Sequence, residues 1–328
     1  MPNASLTLAC WDYDRTAALA DGRVTVDGVD LTYLTLRVEE TFLRMIAHRE
    51  FDAAEMSLSS YTMSKFRDDA FVAIPVFPSR VFRHGSIYVS KKSGIREPKD
   101  LIGKRIGVPE YQMTAAVWIR GILADEYAVP VASVSYFTGG EEHPGRVEKP
   151  GLKLPADIKV APIPPDRTLS DMIATGEIDA LYTAEAPSSY GKNGAVRRLF
   201  EDSVTVEQDY YKRTQLFPIM HTLVLRRELY ERHRWLAVEL YKAFIRAQAV
   251  AYENLHHTGV TKTMLPWTPA YSEATRALMG EDFWPYGLEK NVKTLETFLR
   301  YHHEQGLSPR QLEPRDLFAP ETLEAYKV

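Results

Sequence analysis

Apolar positions along this chain follow two periods, and the two alternate in blocks. From Leu6 to Cys10 the period is two, which predicts a strand running into Trp11 and Asp12. Gly22 to Leu36 continues near period two through Val24, Val26, Val29, Leu31, Tyr33 and Leu36. With Asp27-Gly28 as a turn, it predicts a strand pair or a strand with a hairpin. Glu39 to His48 switches to helical spacing, with Phe42, Leu43, Met45 and Ile46 on one stripe. Phe51 to Leu58, Phe71 to Phe77 and Ser86 to Ser90 read as strands. After Pro98 the pattern restarts, with strands at Arg105 to Val108 and Val134 to Phe137 around a helix over Thr114 to Tyr127. A Gly- and Pro-rich stretch from Gly139 to Pro165 predicts irregular surface chain. A helix over Leu169 to Thr175, a strand over Ile178 to Tyr182 and a strand over Met220 to Leu225 follow. One long helix is predicted from Glu228 to His256, another from Leu288 to His303, and a short terminal one from Pro320 to Tyr326. Strands alternating with helices argue an α/β architecture with mostly parallel pairing.

Composition narrows the class. At 328 residues the chain is long enough for about two domains at ~150 residues each. Forty Lys and Arg against forty-four Asp and Glu leave a net charge of −4, so no broad basic field exists for a nucleic acid, and any anion site is local. No stretch approaches the ~20 apolar residues that span a bilayer, and the first residues carry neither a basic segment nor an apolar run. The expectation is therefore a cytoplasmic protein with no membrane partner. A single cysteine, Cys10, excludes an intramolecular disulfide or a Cys-based cluster. No H-x-x-x-H pair, carboxylate-rich loop or phosphate-binding glycine loop appears, so no metal and no cofactor are expected.

Three segments in order resemble the type 2 periplasmic-binding-protein fold. They are Ile74-Pro75-Val76-Phe77 with Ile87-Tyr88-Val89 and Pro98 to Val108; Met172 to Leu181; and Thr222 to Leu229. The resemblance implies two lobes, each a mixed, mostly parallel sheet flanked by helices, with a cleft between. Lobe one would comprise residues 1–96 and 215–328, and lobe two residues 97–214. Within that fold, Phe77-Pro78-Ser79-Arg80-Val81-Phe82-Arg83-His84 and Asp282-Phe283-Trp284-Pro285-Tyr286-Gly287 resemble the 4,5-dihydroxyphthalate decarboxylase family. That resemblance implies loss of one ring carboxylate to give 3,4-dihydroxybenzoate. The implied partner is a small aromatic dicarboxylate; a homo-oligomer is left open.

Several residues suit such chemistry. Arg80 and Arg83 lie within about 10 Å of each other in an extended loop, and two guanidiniums at that reach can each grip a carboxylate. His84 beside them titrates near neutral pH. Arg in loops is more usually solvated or in surface ion pairs. Trp11 and Arg15 follow the first strand, where a ring can stack and a cation can add charge; a core Trp is the equal alternative. Ser57 ends the Phe51 strand, although Ser in a turn is ordinarily bland. Glu55 would be unfavourable near an anion unless protonated or paired. Thr114 opens a helix whose N–H groups favour an anion, with capping its commoner role. Glu185 can bond a catechol hydroxyl, and Tyr286 in the second string is a substrate contact. His221 lies beside the second hinge crossing, structural and catalytic roles being evenly balanced. His256-His257 and His302-His303 read as surface pairs.

The expected mechanism fixes carboxylates with Arg15, Arg80 and Arg83, sets Glu185 on the phenol, and protonates the ring carbon from His84 or His221. A para hydroxyl supplies the electrons, so an electron-sink cofactor is not obligatory. The rivals are a solute-binding protein for a small aromatic anion and another cytoplasmic enzyme of this fold, such as a menaquinone-pathway lyase. One cysteine rules out the cysteine-rich thiamine-pyrimidine synthases.

Overall fold

A computed structural model describes residues 3–146, 148, 152–192 and 194–324. Its elements in chain order begin β1 (Ala4–Cys10), α1 (Asp14–Ala20), β2 (Val29–Thr35), α2 (Val38–His48), β3 (Ala53–Ser57), α3 (Leu58–Ser64), β4 (Phe71–Ile74), β5 (Ile87–Ser90), β6 (Arg105–Val108) and α4 (Thr114–Tyr127). They continue with β7 (Ser135–Thr138), β8 (Lys159–Pro162), α5 (Leu169–Thr175), β9 (Ala180–Tyr182), β10 (Val196–Arg198), α6 (Ser203–Thr214) and β11 (His221–Arg226). The last are α7 (Arg227–Arg232), α8 (Trp235–His256), α9 (Thr268–Met279) and α10 (Val292–Glu304).

The chain divides into two compact units. The first holds residues 1–80, 219–296 and 312–328, and the second residues 81–218 and 297–311. The expected boundary near residue 97 therefore moves back to 80. The reason is pairing: β5 sits between β10 and β9 in the second unit's sheet rather than beside β4. Residues 297–311 also fall in the second unit, although lobe one was expected to hold them.

The first unit carries a five-stranded sheet in the order β2-β1-β3-β11-β4. β1 runs parallel to β2 and β3, while β11 runs antiparallel to β3 and β4. Both faces are covered, so β3 and β4 are buried along their whole length and read as continuous rather than alternating strands. The predicted hairpin at Gly22 to Leu36 is one strand, β2, paired along its length with β1. Of the residues before it, Val26 is buried but pairs with no strand.

The second unit's sheet has the order β10-β5-β9-β6-β7-β8, with β9, β6, β7 and β8 parallel and β5 antiparallel to both neighbours. α4 is buried from Thr114 to Leu123 on every face, as expected of a helix packed on both sides. Gly121 allows that packing, because a Cβ there would stand 2.1 Å from the Tyr301 ring. The long helix predicted from Glu228 is two helices, broken at His233 (φ −141°), which has no glycine or proline to signal the break. His302 is buried against Phe298, not on the surface, while the adjacent His303 is exposed. The predicted terminal helix is a single 3-10 turn at Pro320–Thr322; residues beyond Glu324 lie outside the described part. No helix among the described residues is long and apolar enough to cross a membrane.

Candidate functional site

In the first unit, register brings four chemically active side chains to one face of the sheet. Side chains two apart on a strand share a face, so Glu55 and Ser57 of β3 point the same way. His221 opens β11 directly opposite Ser57, and Leu223 stands opposite Glu55. Cys10 ends the neighbouring strand β1. The result is a carboxylate with four donors. The Glu55 Oε1 atom accepts from the Tyr13 hydroxyl at 2.7 Å and meets His221 Nδ1 at 2.6 Å. Its Oε2 atom accepts from the Trp11 backbone N–H at 3.1 Å and from the Cys10 thiol at 3.5 Å.

Glu55 is fully buried, and burial alone would raise its carboxyl. The contacts with His221, Tyr13 and Trp11 outweigh that and hold it below the usual carboxylate range. The same burial and the same charge push the Tyr13 phenol and the Cys10 thiol well up, so both stay protonated as donors. His221 is the member that reaches out, with its side chain 16% exposed. Because Nδ1 faces Glu55, Nε2 is the ring nitrogen left without a hydrogen-bond partner among the described residues. The imidazole is further fixed by Phe42, whose ring meets it edge-on at 4.9 Å.

Arg15 in α1 stands nearby in the same unit, stacked between the Tyr13 ring (4.1 Å) and the Trp284 ring (4.2 Å). Its Nε donates to the Pro78 carbonyl and its Nη1 to Asp14, which leaves Nη2 without a partner among the described residues. Arg15 and Trp284 also line a cavity of about 180 Å³ with Gln248, Tyr252 and Phe283.

The 284–287 segment is tied down at almost every polar atom. Trp284 Nε1 donates to the Phe77 carbonyl, Gln248 donates to the Trp284 carbonyl, and Asn291 donates to the carbonyls of Pro285 and Gly287. Gly287 takes φ +89°, and a Cβ there would lie 2.7 Å from the Tyr241 hydroxyl, so only glycine suits the turn. Against this, the Tyr286 hydroxyl is buried with no hydrogen-bond partner among the described residues. Burial raises its phenol, and Arg15 is the first charge acting against that rise. Buried hydroxyls are ordinarily paired, so this one stands out in a segment otherwise so well tied.

The other expected residues are placed differently. Trp11 is 37% exposed and takes part through its backbone N–H. Ser57 caps α3, accepting from the Ser60 N–H. Arg80 is buried over the Phe77 ring, and its Nη2 donates to the Pro285 carbonyl and the Asn291 side chain, so it ties the 285–291 segment in place. Arg83, in the second unit, is buried with its Nη1 on Ser86 and the Ala184 carbonyl. Desolvation lowers its pKa to about 10.

His84 is the clearest departure. It is 1% exposed in a box of Tyr127, Phe200 and Tyr210, and neither ring nitrogen has a hydrogen-bond partner among the described residues. Burial, aided by Arg213, lowers its pKa to about 4, so it is neutral near pH 7 and has no proton to give. This has a measurable consequence. The native pKa lies below the ordinary 6.5, so the neutral ring's contribution is complete above pH 6.5 and is lost as pH falls toward 4. At about 1.4 kcal/mol per unit, the contribution reaches roughly 3 kcal/mol. Thermal unfolding of the His84→Leu protein should lose that part of the decline between pH 6.5 and 4; an identical decline in both proteins contradicts the placement.

Thr114 is the first residue of α4 and buried, but the N-cap is Met113 with no side-chain cap bond. Glu185 is exposed beyond β9. Sequence reasoning passed over Glu55 and Tyr13. Glu55 was set aside as a charge needing a partner, and that partner lies 166 residues away. Among the described residues no group of three or more His, Cys, Asp or Glu could hold a metal ion.

Comparison with known proteins fits this picture. The chain is 44% identical over 330 residues to 4,5-dihydroxyphthalate decarboxylase of Comamonas testosteroni, covering all of both chains. It is 42% identical over 214 residues to 4,5-dihydroxyphthalate decarboxylase of Pseudomonas putida, covering 65% of this chain and 83% of that one. No family model matches. Among solved structures it resembles the periplasmic aliphatic sulphonate binding protein SsuA of Escherichia coli, with a TM-score of 0.54 at 13% identity, covering 98% and 99% of the two chains. The fold is accordingly the periplasmic-binding-protein-like α/β fold that the sequence led us to expect.

Proposed function

The chain belongs to the 4,5-dihydroxyphthalate decarboxylase family, and from that premise we propose how its own residues carry the reaction. The activity is that of a carboxy-lyase: 4,5-dihydroxyphthalate loses one carboxylate as CO2 and leaves 3,4-dihydroxybenzoate. Each carboxylate of that substrate is para to a hydroxyl. As the hydroxyl passes its proton to water, an electron pair moves through the ring to the carbon bearing the carboxylate, and that carbon takes a proton. The carbon–carboxylate bond then breaks, its electrons restore the aromatic ring as CO2 departs, and the phenolate oxygen takes a proton back from water.

His221 delivers the ring proton from Nε2. Glu55 holds Nδ1 and stabilises the imidazolium that precedes the transfer. Arg15, with its unused Nη2, and Tyr286, with its unmatched hydroxyl, take the carboxylate that is retained. The ring of Trp11 is exposed and free to stack on the substrate. The observation that carries the reading is the 2.6 Å contact between His221 and a buried carboxylate already holding three other donors. Such a group orients a histidine rigidly while leaving one nitrogen to work. A cytoplasmic location belongs to the same proposal.

Incubating the purified protein with 4,5-dihydroxyphthalate tests it. Equal amounts of CO2 and 3,4-dihydroxybenzoate are expected. Tight binding with no turnover would instead make the chain a receptor for an aromatic anion.

A further inference from the structure

In the second unit, the carboxyl ends of β7 and β9 present a polar pair that the mechanism above does not use. After β7 the chain turns through Gly139 and Gly140. A Cβ at Gly139 would stand 2.3 Å from Ile163, and one at Gly140 would stand 1.7 Å from the His143 carbonyl oxygen. Only two glycines allow this turn. The start of α5 then locks it, with the Leu169 N–H donating to the Gly140 carbonyl and the Ser170 N–H to that of Glu141. The side chain so presented is Glu141, whose Oε2 accepts from the Thr183 hydroxyl at the end of β9. Its Oε1 is buried and has no hydrogen-bond partner among the described residues.

The surroundings make a purely structural role costly. Glu142 and Glu185 add negative charge, and Arg146 opposes it while ion-paired to Glu110 at 2.6 Å. Burial is the largest influence and, with the two acidic neighbours, lifts the Glu141 carboxyl to about 7. A buried acceptor left unmatched on a rigid turn is a group waiting for a donor. It is a poor seat for a carboxylate, which the acidic neighbours would repel. A hydroxyl satisfies it without bringing charge.

We propose that Glu141, steadied by Thr183, binds a phenolic hydroxyl of the aromatic acid and so makes the protein prefer hydroxylated ligands. This rests on the decarboxylase reading for the identity of the ligand. In its neutral form Glu141 accepts the hydroxyl's hydrogen without repelling the ligand's carboxylate. Ionisation above neutral pH adds that repulsion.

Calorimetric titration with 3,4-dihydroxybenzoate and with benzoate, at pH 6 and pH 8.5, tests the proposal on the wild type, Glu141→Ala and Glu141→Gln. At pH 6, Glu141→Ala should weaken 3,4-dihydroxybenzoate by about tenfold, as for loss of one hydrogen bond, and leave benzoate within twofold. Glu141→Gln, which mimics the neutral acid, should keep the preference at both pH values, while the wild type weakens at pH 8.5. Equal losses for both ligands, or none for either, overturn the proposal. Turnover of 4,5-dihydroxyphthalate by the wild type, measured alongside, separates the two readings. Turnover without a ligand preference defeats the role of Glu141 alone, and a preference without turnover defeats the decarboxylase reading alone.

Discussion

Replacing His221 with glutamine is expected to lower the decarboxylation rate by about 10²–10⁴-fold, the usual contribution of a positioned proton donor. The glutamine amide can still meet Glu55 and fill the space beside Phe42, but it has no proton to transfer at neutral pH. The loss should therefore fall on kcat, with KM changed little, because substrate binding is assigned to Arg15 and Tyr286. A variant that kept its kcat and raised KM would make His221 a binding group. Steady-state kinetics on the two proteins separate these outcomes.

The second large effect is expected at Glu55. Glu55→Gln removes the charge that Tyr13, Trp11, Cys10 and His221 share. Breaking one side of a buried pair costs about 3 kcal/mol, because the amide keeps one uncharged acceptor oxygen and turns an NH2 group toward donors that had met a carboxylate oxygen. Denaturant unfolding should show that loss at pH 7. The pH dependence follows from the direction of the Glu55 shift. Its native pKa lies below the ordinary 4.5, so its contribution is complete above that value and is lost as pH falls through the native one. The gap between wild type and variant should hold constant at neutral pH and close in acid. Activity should also fall, by about 10-fold or more, since second partners of a working histidine commonly matter at that level. Unchanged stability at pH 7 would mean that the carboxylate is not the hub described.

How much of this was legible in the sequence depends on how local each signal is. α4, α5 and β6 match their predicted limits because a complete local pattern marks each: helical spacing over Thr114 to Tyr127, a glycine stop at Gly176, and a short run from Ile106 to Val108 behind Arg105. The strand at Val29 was mistaken for half of a hairpin, since Asp27-Gly28 carries turn chemistry whether or not a second strand follows. The break at His233 has no glycine or proline to mark it in the residues. The same distinction governs the site. His221 and Arg15 could be named because each follows or opens a recognisable strand. Glu55 could not be valued, because its worth lies in partners 42 to 45 residues away on one side and 166 on the other. Arg80 and His84 looked reactive as a string, yet in the fold one binds backbone and the other sits in an aromatic box.

The central claim is that this protein decarboxylates the aromatic acid by placing a proton from His221 on the ring carbon. Proton magnetic resonance of the product formed in D2O, for the wild type and His221→Gln at equal concentration, tests it most directly. The account predicts that the wild type yields 3,4-dihydroxybenzoate with one deuterium at the carbon that lost its carboxylate, and that His221→Gln yields almost none over the same time. Product formed at the same rate by His221→Gln would contradict it.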